Sequence, residues 1–311
     1  MPRESRAVLL EKRAIISVSL ANPPSGNAHR WAAIVKVKEY QMQSEKVRFT
    51  KEKETLLFTL YGKALHSRSK NPVLQDKWAE GAVDHIDYDF GKLKVREYES
   101  LLIASRARQF DIFTDQYLST HPNATVLHIG CGMDSRVFRV APPPSVRWFD
   151  IDYPDVIELR KHLFPERTGY SLIGSSLSEL GWLENIPADL PVMVVGEGVM
   201  MYLTEEIVKQ LLNGITNHFP SGQIVFDAWN HLALRGAQRR GIKGTGASFG
   251  WAIDDPQDIR KIEPRLQLIK EFRTTELVAY TRMSWAMRLL VRVMDAFPSL
   301  RRMNRVLLYQ F

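Results

Sequence analysis

Cysteine is nearly absent from this chain of 311 residues, which contains Cys131 alone. A single cysteine cannot build a disulfide framework or a cysteine-based zinc cluster, so both are excluded and no metal site is predicted. Apolar runs of the ~20 residues that a membrane-spanning helix needs are also missing. The start, Met1-Pro2-Arg3-Glu4, lacks the charged-then-apolar layout of a secretory signal. We therefore expect a cytoplasmic protein without stable membrane insertion.

A basic functional segment is missing as well, although the formal net charge is +7. Residues 1–50 contain nine Lys/Arg against four Asp/Glu, and residues 235–311 contain fifteen against seven. The middle of the chain, 51–234, is acidic, with 18 against 24. A nucleic-acid site requires a basic stripe on the functional domain. Because the motifs described below lie in the acidic middle, we expect no nucleic acid as substrate or partner.

The pattern along the chain predicts three parts. Residues 1–45 contain a loop cluster, Asn22-Pro23-Pro24-Ser25-Gly26-Asn27, and no sustained period, which predicts a poorly ordered or loosely attached extension. Residues 46–122 have helical spacing and predict a helical cap, whose longest helix, Leu93–Thr120, ends before His121-Pro122. Residues 123–311 alternate strands with helices and predict an α/β core with C-terminal additions.

The alternating part predicts a doubly wound, mostly parallel sheet, because strands separated by helices are joined by right-handed crossovers. A C-terminal helix at Ser284–Met294 is amphipathic; we expect it to pack on the sheet or to close over an apolar substrate, with docking on a membrane surface as the alternative. The predicted strands are Thr125–Ile129, Val146–Ile151, Val192–Val195, Ile224–Phe226 and Val306–Tyr309, and the other helices of this part are Pro154–Phe164 and Thr204–Phe219.

A ligand site is indicated where the first of these strands ends, at Gly130-Cys-Gly132. Two glycines at this spacing allow a sharp turn and a close approach to a ligand, although a plain tight turn would look the same. Asp152 ends the second strand, where a carboxylate accepts hydrogen bonds from ribose hydroxyls. Ser135 replaces the third glycine of the dinucleotide fingerprint, which disfavours NAD or FAD and suits a nucleoside without phosphates. Glu197 follows the next strand at the same edge of the sheet.

Together these motifs resemble the leucine carboxyl methyltransferase superfamily, and more closely its polyketide and small-molecule O-methyltransferase branch. The resemblance covers about Lys46 to Phe311. The matching stretches include Glu54-Thr55-Leu56-Leu57, Ile86-Asp87-Tyr88-Asp89-Phe90, Arg106-Ala-Arg-Gln-Phe110-Asp111, Gly130-Cys-Gly132-Met-Asp134-Ser135-Arg136, Asp150-Ile-Asp152-Tyr-Pro154 and Glu197-Gly-Val-Met-Met-Tyr202-Leu203. The resemblance implies a class I methyltransferase-like (Rossmann-like) fold, S-adenosylmethionine as cofactor, and O-methylation of a polyketide-like small molecule, a secondary metabolite, as the activity.

The resemblance also implies the residues that bind this cofactor. Arg106 would hold the methionine carboxylate, with Arg108 as its rival, since a guanidinium fork suits a planar carboxylate. Gly130 and Gly132 would pass under the amino-acid part, and Glu197 would line the pocket. Asp152 would hold the ribose, with Asp150 as the alternative. In the adenine loop Ser176-Leu177 precedes Trp182, and Ser176 stands where the family usually has an acidic residue.

Methyl transfer requires alignment of the acceptor with the methyl group, and a base only if the acceptor is a neutral phenol or alcohol. The candidate base is His231, four residues after Asp227, although a lone histidine is more often structural. Tyr202 could line the substrate side or lie in the core. Three other functions remain open: methylation of a protein C-terminal carboxylate, a pocket reused for cyclisation or binding, and a nicotinamide oxidoreductase.

Overall fold

The computed structural model describes the strands Ala14–Val18 and Val35–Glu39 and residues 54–240 and 249–311. The chain divides into two units, residues 1–45 and residues 46–311. In the first unit, β1 (Ala14–Val18) pairs antiparallel with β2 (Val35–Glu39). These two strands are absent from the sequence prediction, which found no sustained period in residues 1–45. The rest of the predicted extension lies outside the described residues.

Three helices begin the second unit: α1 (Glu54–Ser67), α2 (Lys77–His85) and α3 (Glu97–Thr120). Helices α1 and α2 share a hydrophobic cluster that contains Leu57, Leu60, Ala82 and Val83, and α3 packs against α1. The prediction of a helical segment before the sheet agrees with this arrangement. The helix α3 ends at Thr120, as predicted, because the backbone N–H of His121 makes the last helical bond and Pro122 cannot continue the helix.

The core is a seven-stranded sheet in the order β5-β4-β3-β6-β7-β9-β8. The first five of these strands run parallel, and β9 runs antiparallel to both β7 and β8. The prediction of a doubly wound, mostly parallel α/β sheet is therefore confirmed. The strands are β3 (Thr125–Ile129), β4 (Arg147–Asp152), β5 (Tyr170–Gly174), β6 (Val192–Gly196), β7 (Gly222–Trp229), β8 (Gln267–Arg273) and β9 (Asn304–Gln310).

Helices cover both faces of the sheet, so alternate residues of a strand enter different hydrophobic clusters. Leu127 and Val194 pack in one cluster with residues of α6, whereas Val126 and Val195 pack in another with residues of α3. The helices between and after the strands are α4 (Arg136–Val140), α5 (Pro154–Leu163), α6 (Glu205–His218), α7 (His231–Arg240), α8 (Ile259–Ile262), α9 (Val278–Arg282), α10 (Trp285–Asp295) and α11 (Pro298–Arg301).

The predicted C-terminal amphipathic helix exists as α10, but the expected packing on the sheet is wrong. No residue of α10 is buried, and its large apolar side chains face outward. The helix lies in an excursion of the chain between β8 and β9, residues 278–303. Within the described part of the chain, no helix is both long enough and apolar enough to cross a membrane.

Candidate active site

The turn that follows β3 requires two glycines. Gly130 has φ +59° and Gly132 has φ +48°, a backbone region that other residues rarely adopt. A Cβ at Gly130 would overlap Val199, and one at Gly132 would overlap Leu56. The turn therefore brings the backbone of the sheet edge against the segment after β6 and against the cap helix α1.

Asp152 lies at the carboxyl end of β4, beside this turn. Its carboxylate accepts hydrogen bonds from the backbone N–H of Gly132 at 2.7 Å and from that of Tyr153 at 2.7 Å. Burial raises the pKa of Asp152, and these two hydrogen bonds oppose the rise. The structure thus connects the end of β4 to the glycine turn of β3 through one carboxylate.

The alternative carboxylate, Asp150, is fully buried and fully used inside the protein. It accepts hydrogen bonds from His128 Nδ1 at 3.0 Å and Trp148 Nε1 at 2.8 Å, and it pairs with Arg160. Burial alone would raise the pKa of Asp150, but Arg160 and His128 lower it to about 2. These contacts indicate a structural role, and Asp152 is the carboxylate that stands at the strand end.

Arg106 projects from α3 between two carboxylates. Its Nε donates to Glu197 Oε1 at 3.0 Å, and its Nη1 donates to Asp227 Oδ2 at 2.9 Å. Burial would lower the pKa of Arg106, but Asp227 and Glu197 raise it, so the side chain stays cationic. Arg108, two residues further along α3, makes neither of these contacts. Asp227 also accepts from the backbone N–H of Gly198 at 2.6 Å and so holds the loop after β6 in place.

Glu197 is also buried among cations, with 4% of its side chain exposed. Its second oxygen pairs with Arg136, which in turn donates to Asp134 at 2.9 Å; Lys63 of α1 donates to the same Asp134 oxygen at 2.7 Å. Burial alone would raise the pKa of Glu197, but Lys63, Arg106 and Arg136 lower it to about 2. Glu197 is therefore an ionised member of a buried charge network and not a solvated loop carboxylate.

Sequence reasoning did not assign Lys63, Arg136 or Asp227 to the site. Asp227 carries a local signal, because it is a charged residue within the apolar run of β7. Arg136 lies inside the matched glycine motif. Lys63 has no such signal, since its partner Asp134 is 71 residues away along the chain.

The predicted adenine loop follows β5 at the same edge of the sheet. The backbone N–H of Ser175 donates to the carbonyl of Asp152 at 2.9 Å, which ties this loop to the end of β4. Leu177 is buried in the main hydrophobic cluster, and the Ser176 hydroxyl lies 2.7 Å from the Ser178 hydroxyl. The structure thus brings the start of this loop, at Ser175, next to Asp152, with Ser176 and Leu177 directly after it.

A cavity of about 810 Å³ opens from the Arg106 side of this edge. It lies between the cap helices and the ends of β7, β8 and β9. Aromatic and aliphatic groups dominate the lining, and four cationic residues but no Asp or Glu are among the lining residues. The lining is Thr55, Phe58, Thr59, Tyr88, Lys92, Leu93, Leu102, Ile103, Arg106, Gly198, Met201, Tyr202, Trp229, Phe272, Arg273, Thr274, Leu277, Asn304, Arg305 and Val306.

The structure separates the two candidate catalytic residues. Tyr202 lines the cavity and stacks on Phe249 with ring centroids 5.1 Å apart, and burial raises the pKa of its hydroxyl. His231 begins α7 and lies in a different surface hollow, where its Nδ1 is 3.0 Å from Asp254 Oδ2 and half of its side chain is exposed. Tyr202 is therefore next to Arg106, whereas His231 is not brought to the cavity and its catalytic role stays a prediction.

Comparison with known proteins agrees with this geometry. The leucine carboxyl methyltransferase family matches residues 57–169. The tetracenomycin polyketide synthesis O-methyltransferase TcmP of Streptomyces glaucescens is 38% identical over 268 residues, 86% of this chain and 99% of the relative. This chain belongs to the leucine carboxyl methyltransferase superfamily. The S-adenosyl-L-methionine-dependent methyltransferase dpfgK of Gibberella zeae is 36% identical, over 81% of this chain and 92% of its own length.

The methyltransferase fold is also found in a solved structure. A protein from Thermobifida fusca, described as a methyltransferase, superposes with a TM-score of 0.50 at 12% identity over 81% of this chain and 93% of its own. The predictions of a methyltransferase and of S-adenosylmethionine as its cofactor are confirmed by the relatives.

The residues of the sheet edge fit this cofactor. The guanidinium of Arg106 suits its carboxylate, and Asp152 suits its ribose hydroxyls. The glycine turn of β3 lies between them, because β3 stands between β6 and β4 in the sheet. Arg106, the glycine turn and Asp152 therefore follow one another along the sheet edge. The carboxylate, the rest of the amino-acid part and the ribose follow one another in the same order in S-adenosylmethionine.

Proposed function

We propose that this methyltransferase transfers a methyl group from S-adenosylmethionine to an oxygen atom of a polyketide-like small molecule held in the cavity. The observation that carries this proposal is the continuity of the site: Arg106 belongs both to the charge network at the sheet edge and to the lining of the cavity. The volume of about 810 Å³ is within the range of small-molecule sites. The relative TcmP, an O-methyltransferase of polyketide synthesis, supports a polyketide-like acceptor.

Within this proposal, the cofactor contacts come from five parts of the chain. Arg106 binds the carboxylate of the cofactor, and Glu197 and Asp227 orient its guanidinium group. Gly130 and Gly132 lie under the amino-acid part. Asp152 binds the ribose, and the Ser176-Leu177 pair borders the adenine. We propose residues 46–311 as the methyltransferase domain, with 46–122 as its helical cap, and residues 1–45 as a loosely attached extension.

When bound, S-adenosylmethionine supplies a methyl group activated by its positively charged sulfur. The protein's contribution is to orient the acceptor and exclude water, which is an entropic advantage. The aromatic lining, including Tyr88 and Trp229, favours a flat apolar molecule. Because burial raises the pKa of Tyr202, its hydroxyl stays protonated at neutral pH and can donate a hydrogen bond that positions the acceptor oxygen.

The charge of the lining favours an acceptor that reacts as an anion. Lys92, Arg106, Arg273 and Arg305 line the cavity, and no described carboxylate lines it. Each of these four cations also pairs with a carboxylate that is not among the lining residues. The donor groups that face the cavity still stabilise an ionised hydroxyl or carboxyl group, so the acceptor can release its proton to solvent before the transfer. An acceptor of this kind needs no general base, which is consistent with the position of His231 outside the cavity.

The proposal is tested with purified protein and S-adenosylmethionine labelled on its methyl group. We expect label in the low-molecular-mass fraction of a metabolite extract and none in its protein fraction. Label in protein would instead support methylation of a C-terminal carboxylate, and no S-adenosylhomocysteine in either case would support a binding or cyclisation role. Mild alkaline hydrolysis of the product separates a methyl ester, which releases its label, from an aryl methyl ether, which keeps it.

We also propose the cytoplasm as the location and a small molecule, without nucleic acid, as the partner. The single cysteine, Cys131, is buried and suits a reducing compartment. The acidic balance of residues 51–234 disfavours phosphate backbones.

A further inference from the structure

The helix α10 presents an apolar face to solvent. Trp285 is 74% exposed, and Leu289, Leu290, Val293 and Phe297 are each more than half exposed. With 3.6 residues per turn, these five side chains lie on one side of the helix and its C-terminal continuation. Val291 and Met294 are half-buried on the opposite side, toward the protein. The helix is therefore amphipathic in the unusual sense that its more apolar side points away from the fold.

The charge around this face is positive. Arg288 and Arg292 are four residues apart and follow one edge of the face, and both are exposed. The excursion from Val278 to Met303 contains five arginines and a single carboxylate, Asp295. That carboxylate faces Arg273, with 3.5 Å between Oδ2 and Nη1. Among the described residues, Arg288 makes no ion pair, so its charge is available to a partner.

We propose that the apolar face of α10, defined by Trp285, Leu289, Leu290, Val293 and Phe297, docks this protein on an anionic lipid surface. A helix with apolar and aromatic residues on one side and arginines at the edge is suited to lie in the plane of a membrane interface. Burial of the apolar side chains supplies one part of the attraction, and each arginine near anionic headgroups supplies another.

A second copy of the chain fits this face less well. Two copies joined by the same face would bring Arg288 and Arg292 of each copy to one interface, with only Asp295 of this excursion to offset them. Like charges placed together oppose association. An anionic lipid surface instead complements the apolar residues and the arginines at the same time.

The position of the excursion gives the docking a use. Its two ends adjoin residues that line the cavity: Thr274 and Leu277 before α9, and Asn304 and Arg305 after α11. A protein seated on lipid through α10 therefore holds this wall of the cavity close to the bilayer. This use, but not the docking itself, rests on the proposed function, because it requires an apolar acceptor that partitions into lipid.

The docking is tested by sedimentation with vesicles. The full-length protein is mixed at low salt with vesicles of phosphatidylglycerol and phosphatidylcholine, and separately with pure phosphatidylcholine. We expect binding to the anionic vesicles, little binding to the neutral ones, and release as salt is added. The double variant Leu289→Ser/Val293→Ser should partition at least about tenfold more weakly, since two buried aliphatic contacts are lost. Arg288→Glu should bind about tenfold more weakly at low salt.

The control is Ile269→Ser, which changes an apolar side chain of β8 that is 43% exposed. It should bind vesicles like the natural chain. Affinity for S-adenosylhomocysteine reports folding in every variant and needs no acceptor, so failure of the docking is distinguishable from failure of the proposed function. Lack of binding to anionic vesicles overturns the proposal, as does undiminished binding of the double variant. A lipid-free dimer that the double variant abolishes would assign the face to a second copy instead.

Discussion

The sheet edge around Glu197 and the excursion that carries α10 use the same residue types in opposite ways. At the sheet edge, arginines are buried or half-buried and are held by carboxylates, as Arg106 is by Glu197 and Asp227. In the excursion, the apolar residues are outside and Arg288 lies in solvent. Buried charges must be paired with good geometry, and changing one partner affects the others. Exposed residues carry no such constraint, so the excursion can change without loss of the fold.

The largest effect is expected at Arg136. Its guanidinium is fully buried and pairs with Asp134 at 2.9 Å, with Asp111 at 3.2 Å and with Glu197. Arg136→Ala leaves these carboxylates buried with less compensation, and we expect it to lower the free energy of unfolding by about 3–5 kcal/mol. Urea denaturation measures this loss. The matched change Arg288→Ala, in the excursion, should alter the free energy of unfolding by no more than about 0.5 kcal/mol. Equal losses of stability in the two variants would contradict the contrast between the buried and the exposed arginines.

A smaller and more selective effect is expected at Arg106. Arg106→Ala should weaken binding of S-adenosylhomocysteine by about 1.5–3 kcal/mol, the range for hydrogen bonds to charged groups. The change should leave the affinity for 5′-methylthioadenosine nearly unaltered, because that molecule lacks the carboxylate. Calorimetry with both ligands measures the difference, and Arg108→Ala is the control. An equal loss for both ligands would show that Arg106 acts on the pocket as a whole.

The pH dependence of stability distinguishes Glu197 from an exposed carboxylate. The folded protein lowers the pKa of Glu197 from 4.5 to about 2, so its contribution to stability is complete above pH 4.5 and is lost as the pH falls towards 2. Glu197→Gln should be less stable at neutral pH and should lose less stability across this acidic window. Denaturation curves at several pH values test this. A variant with the same acid dependence as the natural chain would contradict the assignment.

The smallest effect on stability is expected in α10. Leu289→Ser should change the midpoint of thermal unfolding by little, because the side chain is 55% exposed and its removal leaves no cavity. The comparison core change, Leu127→Ala in β3, should lower the free energy of unfolding by about 2–5 kcal/mol. A large loss in Leu289→Ser would mean that the face is covered in solution.

The fold was predictable where burial is complete. β3 and β6 are buried along their whole length and read as continuous apolar runs in the sequence. β5 and β8 were missed for the converse reason. They form the two edges of the sheet, and most of their residues are partly or fully exposed, so neither gives a continuous apolar run.

Some residues of the candidate site were likewise predictable from the sequence, and others were not. Gly130, Asp152 and Glu197 follow strands directly, and local order along the chain was enough to place them at one edge. Lys63 and Asp227 reach the charge network through contacts with residues 71 and 121 positions away, which no local pattern contains. His231 shows the opposite case: it is close to Asp227 in sequence, but the turn into α7 points it to another surface.

The order of strands has a consequence for synthesis on the ribosome. Among the described strands, β8 pairs only with β9, and β9 fills the place between β8 and β7 although it is made after both. Until residues 304–310 have left the ribosome, β7 carries an open edge, and open edges invite pairing with other chains. We expect a nascent chain arrested before Asn304 to be a target for chaperones, with protection of β7 from proteolysis beginning only once β9 has emerged.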